Sequence, residues 1–473
     1  IRLSGESDSF NWIVGGFIAR DKTSETDKNW GAYVTDIVPL RALGSAFMPA
    51  GSTQAQIEDV LWGFRDWQNE ARQRITTKAV FAQADWEVAP HLTITAGLRY
   101  TNDKTDFEGC SRDQGDNAIA ATWKAFFVNY LGIPSNVGRG GCVSYQNDLK
   151  PFLLPNPAFV PLAVPTAFLV NAAAGPFPQQ GVINKTLKES NVSGRLGINY
   201  QANPSTMIYG YYARGFKSGA FPNVSANVAS QYNAAQQEEI NAFEVGVKGT
   251  MLNDRVTFDL AGYYTRVNDM QFFEFFVGSF GLLRVVSNIN RVDIKGAELN
   301  LGVKIIDGWR LFASGNLTDS KIKANAARPY TVGNKSPYTA DYTINLGTEM
   351  TAPLAPGTKL LFRADYRITG PTWFSSVQCQ SRPSIFSGLL PISALALPSF
   401  VGDANYCKTR RDAFGILNLR AGVETHGVTV TAFANNALDK GYLAEVIPAI
   451  EFGGSFISPG SRRMFGVELG AKF

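Results

Sequence analysis

The sequence predicts an all-β protein, a transmembrane antiparallel β-barrel with about fifteen or sixteen strands present. Three observations predict it: strand-length segments alternate apolar and polar residues, the connections between them alternate short and long, and the chain ends on an aromatic residue. The last segment shows the pattern most plainly, because Phe465, Val467, Leu469, Ala471 and Phe473 fall on one face of a strand. Such a strand has one apolar side, which a barrel wall turns toward lipid.

Earlier segments repeat this alternation. In residues 92–100 every second residue is apolar, with Thr, Gly and Arg99 between them, and residues 243–251 place Glu244 and Lys248 between apolar positions. The candidate strands lie at about 10–20, 76–89, 91–106, 188–203, 204–217, 238–252, 253–270, 283–305, 308–323, 338–352, 357–370, 413–425, 427–437, 440–448 and 461–473. Residues 1–4 resemble the end of a further strand, so we expect an earlier part of the barrel to precede this chain.

The lengths of the connections predict the topology of the barrel. Short ones are predicted at 90–91, 202–205, 253–254, 307–308, 353–357, 426–427 and 439–440, and long ones at 21–75, 104–187, 218–237, 271–282, 324–337, 371–412 and 449–460. Bacterial outer-membrane barrels have short periplasmic turns and long extracellular loops. The chain is therefore predicted to be one outer-membrane barrel domain over 1–473, with its largest extracellular loops at about 21–75, 104–187 and 371–412, and with Phe473 on the periplasmic side.

Composition excludes other classes. Hydrophobic residues make up 45% of the 473 and charged residues 18%, yet no run reaches the roughly 18 apolar residues that a spanning helix needs. A net charge of +4 gives no reason to expect nucleic acid as a partner. A large soluble all-β protein is the rival interpretation, but it would have to hide the apolar faces of some fifteen strands and would not need alternating connection lengths.

Four cysteines occur, two in each of two long loops, and four cysteines allow three pairings. Because each loop contains its own two, we expect the bonds Cys110–Cys142 and Cys379–Cys407, which imply an oxidising compartment. A metal site is the alternative, but no histidine or second cysteine lies at ligand spacing.

Nothing in the sequence points to catalysis or a cofactor. The two histidines, His91 and His426, fall in predicted turns, and no hydrolase, metalloprotease, nucleotide-binding or EF-hand motif is present. Residues 113–117 could bind calcium weakly, although polar loop composition explains them better. We therefore expect neither an enzyme nor a bound metal.

Charged residues recur on the predicted inner face. In an open pore they would be solvated and tune ion selectivity, and in a plugged barrel they would pair with the plug, so their mixed signs leave both alternatives open. The residues predicted to face the lumen or a plug are Arg99, Glu244, Lys248, Glu298, Arg363, Asp365, Arg367, Arg420 and Glu468.

Local motifs resemble a known family. Residues 435–442, Asn-Asn-Ala-Leu-Asp-Lys-Gly-Tyr, resemble the turn found shortly before the end of TonB-dependent outer-membrane receptors, and residues 459–467 resemble that family's last strand. Residues 212–221 and 288–299 resemble receptors of the same kind. The resemblance covers most of the chain in order.

The resemblance implies a 22-stranded barrel around an N-terminal plug, of which this chain would supply the C-terminal part without the plug and the first strands. It also implies import of a scarce or bulky nutrient into the periplasm, with energy from the inner membrane delivered through a TonB complex. The ligand could be a siderophore, cobalamin, a sugar or an aromatic compound. The alternative is a passive porin or a surface-adhesion barrel without energy coupling.

Three of the predicted extracellular loops, at 104–187, 271–282 and 371–412, are unusually apolar. An exposed patch of this kind tends to mark a binding site or a partner, here an apolar ligand, a surface lipoprotein or a neighbouring barrel. The bland alternative is that the loops pack on one another, or that residues 272–276 extend a strand into the outer aromatic girdle. The aromatic residues concerned are Phe152, Phe159, Phe168, Phe272, Phe273, Phe275, Phe276 and Phe386.

Overall fold

Fifteen strands pair in sequence order into one antiparallel sheet in the computed structural model, which describes residues 1–30, 51–56, 66–125, 128, 132–154, 169–278, 281–383, 403–449 and 454–471. The strands of this sheet are β1 (Arg2–Glu6), β2 (Phe10–Trp30), β3 (Asp66–Ala89), β4 (Leu92–Arg112), β7 (Ile183–Asn203), β8 (Thr206–Lys217), β9 (Glu238–Met251), β10 (Val256–Gly278), β11 (Gly281–Ile306), β12 (Trp309–Ala324), β13 (Tyr342–Ala355), β14 (Thr358–Thr369), β19 (Phe414–Thr425), β20 (Val428–Asn435) and β23 (Met464–Ala471). The predicted all-β fold and strand number are confirmed.

The remaining elements lie in the connections. Eight short strands form four two-stranded pairs: β5 (Leu153–Leu154) with β6 (Leu169–Val170), β15 (Thr372–Trp373) with β18 (Arg410–Arg411), β16 (Ser381–Pro383) with β17 (Asp403–Asn405), and β21 (Leu443–Ala449) with β22 (Gly454–Pro459). Among the described elements, an α-helix covers Ala118–Trp123, and 3₁₀ helices cover Lys150–Phe152, Ala172–Ala174, Ala229–Tyr232, Pro329–Thr331 and Tyr406–Thr409. In the part of the chain that the structure describes, no helix has the length and apolarity to cross a membrane.

The two sides of the sheet differ as the alternation predicts. Leu98 lies opposite Ala82 on one strand and Gly194 on the other, whereas its neighbour Arg99 lies opposite Phe81 and Ser193. Because paired residues share a face, these ladders define an apolar face that contains Leu98 and a polar face that contains Arg99. Leu98, Val467 and Leu469 are 62%, 72% and 73% exposed, so the apolar face covers no protein core.

Connections at one edge of the sheet are tight turns, and those at the other edge are long. Between β19 and β20 the turn is His426–Gly427, whose φ angles of 47° and 82° are both left-handed, as the favoured two-residue hairpin turn requires. Ala471 pairs with Val428 beside that turn. Phe473 itself lies outside the described residues, so its position at the periplasmic rim stays a prediction.

Several strands extend further than predicted on the long-loop side. β2 continues to Trp30 and β3 starts at Asp66, so the connection predicted at 21–75 is shorter, and β4 and β7 likewise shorten the one predicted at 104–187. The connection predicted at 271–282 was wrong, because β10 and β11 remain paired up to Gly278 and Gly281. The phenylalanines of this segment and Val277 favour a strand. The polarity of the residues does not indicate where the strand leaves the membrane.

A second correction concerns residues 439–440, which are not a short turn between barrel strands. β20 pairs with β23, and the segment predicted as a strand at 440–448 forms the separate β21–β22 hairpin on the long-loop side. The two motifs that carry the family resemblance meet here. Asn436 donates its side-chain amide to the Ser461 carbonyl at 3.0 Å, and Arg462 forms an ion pair with Asp439 at 2.7 Å. These contacts connect the two ends of the connection across 436–463.

Candidate functional site

The described parts of the long connections pack into a loop layer beyond the outer ends of the strands, and two disulfides lie within it. Cys110, at the outer end of β4, is bonded to Cys142, and Cys379 is bonded to Cys407 within the connection between β14 and β19. These are the two pairs expected from the loop assignment.

Asp113 organises the loop that follows β4. Its side chain is 1% exposed. One carboxylate oxygen accepts backbone N–H groups of Gly115 at 2.8 Å, Gly140 at 3.0 Å and Asn117 at 3.1 Å. The other accepts from Ile119 at 3.1 Å and Ala120 at 3.4 Å. Both oxygens are therefore used by the chain itself, so the calcium alternative for residues 113–117 has no support.

Burial by itself would raise the pKa of Asp113, but the backbone N–H donors outweigh it and hold the pKa below its usual value. The carboxylate is thus charged at neutral pH and fixes the start of the short helix. Among the described residues, no three His, Cys, Asp or Glu side chains are grouped as metal ligands.

Two apolar clusters fill this loop layer, and we call them together the loop core. The first contains Trp67, Ile119, Trp123, Ile133, Val143 and Tyr145, and the second contains Ala71, Phe107, Ile183, Phe221, Val224, Ala226 and Tyr232. The ring of Phe107 stacks on that of Phe221 at 4.6 Å. Phe152 packs edge-on against Phe177 at 5.9 Å. Phe152, which the sequence marked as a ligand or partner residue, therefore has a packing role.

A cavity of about 540 Å³ lies between β10, the connections 325–341 and 370–413, and the β21–β22 hairpin. We call it the mouth cavity. Its lining residues are Met270, Gln271, Phe272, Phe273, Arg328, Pro337, Tyr338, Phe374, Ser375, Ser376, Tyr406, Glu445 and Ile447. Five aromatic rings, one cation and one carboxylate therefore converge on one space.

Tyr338 is the best-placed side chain in the mouth cavity. Its ring lies 5.2 Å from Phe374 in an edge-on arrangement and 6.1 Å from Phe272. Its hydroxyl donates to Glu445 at 3.1 Å, which links the connection 325–341 to the β21–β22 hairpin. Tyr338 is still half exposed, so one side of the ring faces the open space.

Asp269 turns the outer end of β10 toward this cavity. Its φ of 50° is left-handed inside a strand, and Asn288 donates to its carbonyl at 2.7 Å. Strict alternation from Tyr264 would place Met270 and Phe272 on the apolar face. They instead pack against a cluster of Val267, Ile289, Val292 and Ile322, of which Val267, Val292 and Ile322 belong to the polar face.

The structure brings together part of the predicted aromatic set. Phe272 and Phe273 line the mouth cavity, while Phe152 packs on Phe177, which borders the loop core. Phe275 and Phe276 belong to β10, but their side chains lie outside the described part. Phe159, Phe168 and Phe386 also lie outside the described residues. Sequence reasoning missed Tyr338, Phe374 and Tyr406, because single aromatic residues in loops carry no periodic signal.

The charged residues predicted to face a lumen or plug all lie on the polar face. They form short networks there: Arg363 contacts Asp365 at 2.7 Å and Glu349 at 3.4 Å, and Arg420 contacts Glu468 at 3.0 Å. Glu244 accepts the hydroxyl groups of Tyr211 at 2.7 Å and Tyr209 at 3.0 Å. The two tyrosines were not anticipated, although they sit at polar-face positions of β8.

Comparisons with known proteins agree with this arrangement. The family model "TonB dependent receptor-like, beta-barrel" matches residues 7–437. A pesticin receptor of Yersinia enterocolitica is 26% identical over 199 residues, which is 42% of this chain and 28% of that protein. A pesticin receptor of Yersinia pestis is 25% identical over 199 residues, which is again 42% of this chain and 28% of that protein.

Among solved structures, the ferric yersiniabactin uptake receptor of Yersinia pestis aligns with a TM-score of 0.62 at 15% identity, covering 100% of this chain and 53% of that one. The siderophore receptor of Acinetobacter baumannii aligns with a TM-score of 0.57 at 14% identity, covering 98% and 53%. The chain thus spans about half the length of the solved receptors that it matches. The chain belongs to the TonB-dependent receptor-like β-barrel family of the bacterial outer membrane.

Proposed function

We propose that this chain is the barrel part of an energy-coupled transporter that binds a scarce or bulky nutrient at the cell surface and releases it into the periplasm. The observation that carries the proposal is the aromatic mouth cavity at the outer ends of the strands of a barrel from this family. The energy would come from the inner membrane through a TonB complex. No covalent chemistry is part of this mechanism.

The lining suggests the ligand's chemistry. Aromatic faces bind planar or apolar groups, and an arginine beside them pairs with carboxylates or other anions. A ferric siderophore combines such groups, and two structural relatives are named as a ferric yersiniabactin uptake receptor and a siderophore receptor. We therefore propose a ferric siderophore as the nutrient.

The polar face would receive the plug of the whole receptor. Its short ion pairs leave hydrogen-bonding groups such as the Glu244–tyrosine cluster directed away from lipid, and a plug surface could exchange partners with them at small cost, because exposed ion pairs contribute about 0–1 kcal/mol. A surface lipoprotein or a neighbouring barrel has less support, since Phe152 and Phe272 are engaged in packing.

Uptake of radiolabelled ferric siderophores into iron-starved cells that express the full-length receptor tests the proposal. Tyr338→Ala should weaken uptake at low ligand concentration by about tenfold, because it removes a central aromatic contact. Tyr330→Ala is the matched control, since this exposed tyrosine of the same connection does not line the cavity. Uptake that continues unchanged in cells without TonB would contradict energy coupling and favour the porin alternative.

A further inference from the structure

A row of aromatic residues crosses the apolar face of β8, β9 and β10. Tyr212, Phe243 and Tyr264 lie opposite one another across β8, β9 and β10, and the rings of Tyr212 and Phe243 are 4.8 Å apart. Residues 256–264 lead from the tight turn to Tyr264, which matches the roughly 9–11 residues that a barrel strand needs to cross the hydrocarbon layer. This aromatic row therefore marks the outer edge of the hydrocarbon, where interfacial girdles lie.

Cationic side chains lie on the same face of the sheet, level with the aromatic row or nearer to the long-loop edge. Arg214 faces Asn241, Asn241 faces Arg266, Arg266 faces Asp293, and Asp293 faces Lys321 in successive strands. Lys295 lies beside Tyr264, and Arg291 lies one row further out. We call Arg214, Arg266, Arg291, Lys295 and Lys321 the outer cationic patch.

The neighbouring carboxylates are paired with these cations. Asp293 is 15% exposed between Arg266 at 3.6 Å and Arg291 at 2.9 Å. Lys295 is 69% exposed and stands 3.7 Å from Asp319. Glu239 holds Arg214 at 2.6 Å, and Asp341, at the border of the same surface, is paired with Lys335. Each of the three acids that pair with the patch is less exposed than its cationic partners, and five cations stand against these three acids, so the surface has a net positive charge.

A groove runs down the apolar face directly below the patch. Gly262 forms its floor, because it lies between Val245 and Ala297 in the ladder and has open space where a side chain would be. The cleft measures about 760 Å³ and includes Phe243, Leu317 and Lys295 in its lining. A second cleft of about 570 Å³, bordered by Tyr212, Tyr264 and Arg266, adjoins it.

We propose that this surface is a binding site for one phosphorylated amphiphile of the outer leaflet. An acyl chain lies in the groove over Gly262, and phosphate groups contact Arg266 and Lys295 at the level of the aromatic row. Guanidinium groups bind phosphate in a bidentate way and an ammonium binds it as a point charge. The apolar groove and the cationic patch meet at the depth where such a lipid changes from chain to head group.

The test measures retention of diphosphoryl lipid A by the full-length receptor in detergent, using native mass spectrometry, with monophosphoryl lipid A as the comparison. The double variant Arg266→Gln/Lys295→Gln should lower retention of the diphosphoryl form by about tenfold for each lost contact. It should reduce the difference between the two lipids. Gly262→Leu should lower retention of both lipids, because it fills the groove.

Arg255→Gln/Lys359→Gln is the matched control, since it removes two exposed cations at the tight-turn edge and should leave retention unchanged. Retention equal to that of the parent in the charge variant, or an equal loss in the control, would overturn the proposal. Cross-linking of the patch to a neighbouring barrel or a lipoprotein in intact cells, without bound lipid, would also overturn it. If Gly262→Leu fails to assemble, the charge variant decides.

Discussion

Replacing Asp113 by alanine should open the extracellular loop layer without unfolding the barrel. The carboxylate accepts five backbone N–H groups and is fully buried. The substitution leaves these donors without an acceptor in a cluster packed around Ile119 and Trp123.

The magnitude follows from the donors that are lost. A buried donor without a partner costs about 1–3 kcal/mol. Four of the five contacts are 3.1 Å or shorter, and at about 1 kcal/mol each their loss amounts to about 4 kcal/mol. The free energy of local opening should fall by that amount, which corresponds to about a thousandfold loss of amide protection.

Hydrogen exchange of residues 113–145 in the folded receptor measures this change, while heat-modifiable migration reports on the barrel. Asp116→Ala is the matched control three residues away, because Asp116 accepts one N–H, from Ala118 at 3.0 Å, at the surface. Protection that is equal in both variants would refute the assigned role of Asp113. Loss of the barrel along with the loops would refute the independence of the two layers.

The pH dependence has a defined sign. Because the folded pKa of Asp113 is lowered, its contribution to stability is present above the unfolded value of about 3.9 and is lost as pH falls through the folded pKa. Loop protection that depends on Asp113 should therefore be constant from about pH 5 to 8 and decline below about pH 4. A decline between pH 5 and 8 that Asp113→Ala abolishes would contradict this sign.

Three further predictions concern the wall, the disulfides and the loop core. Leu196→Lys, on the apolar face opposite Ala96, should destabilise the barrel by about 2–4 kcal/mol, whereas Leu354→Lys beside a tight turn should cost about 0–1 kcal/mol; unfolding in lipid vesicles measures both, and equal costs would contradict the assigned depth. Non-reducing peptide mapping should recover Cys110 with Cys142 and Cys379 with Cys407, and reduction should destabilise the loops by up to about 3–4 kcal/mol while the barrel persists; a cross-loop pair would refute the assignment. Phe152→Ala should lower protection of the segment around Phe177 but leave siderophore uptake unchanged, and a loss of uptake would restore Phe152 to the ligand site.

Much of the barrel wall could be predicted because the sequence pattern that specifies it lies within each strand. Alternation with period two specifies which residues share a face within each strand, and it correctly placed Leu98 outward and Arg99 on the opposite side. The alternation of connection lengths ordered the strands, and the position of two cysteines in each of two loops indicated both disulfides. These signals need no knowledge of distant residues.

Local sequence did not predict which strands pair with each other or where the strands end. Residues 440–448 alternate like a wall strand, but β20 pairs with β23 because the contacts of Asn436 and Asp439 with residues 461–463 connect the two ends of that segment. Likewise, residues 271–278 were predicted as a connection, although their pairing with residues 281–288 keeps them in β10.

The sequence by itself determined that this chain is a barrel wall with one apolar and one polar face, because that property repeats along each strand. Tertiary structure decided where the faces exchange at Asp269, how Tyr338 and Phe374 meet around the mouth cavity, and how cations from four strands form one patch. The physical reason is that these sites consist of residues far apart in the chain, and only the register of paired strands and the packing of loops bring them within contact distance.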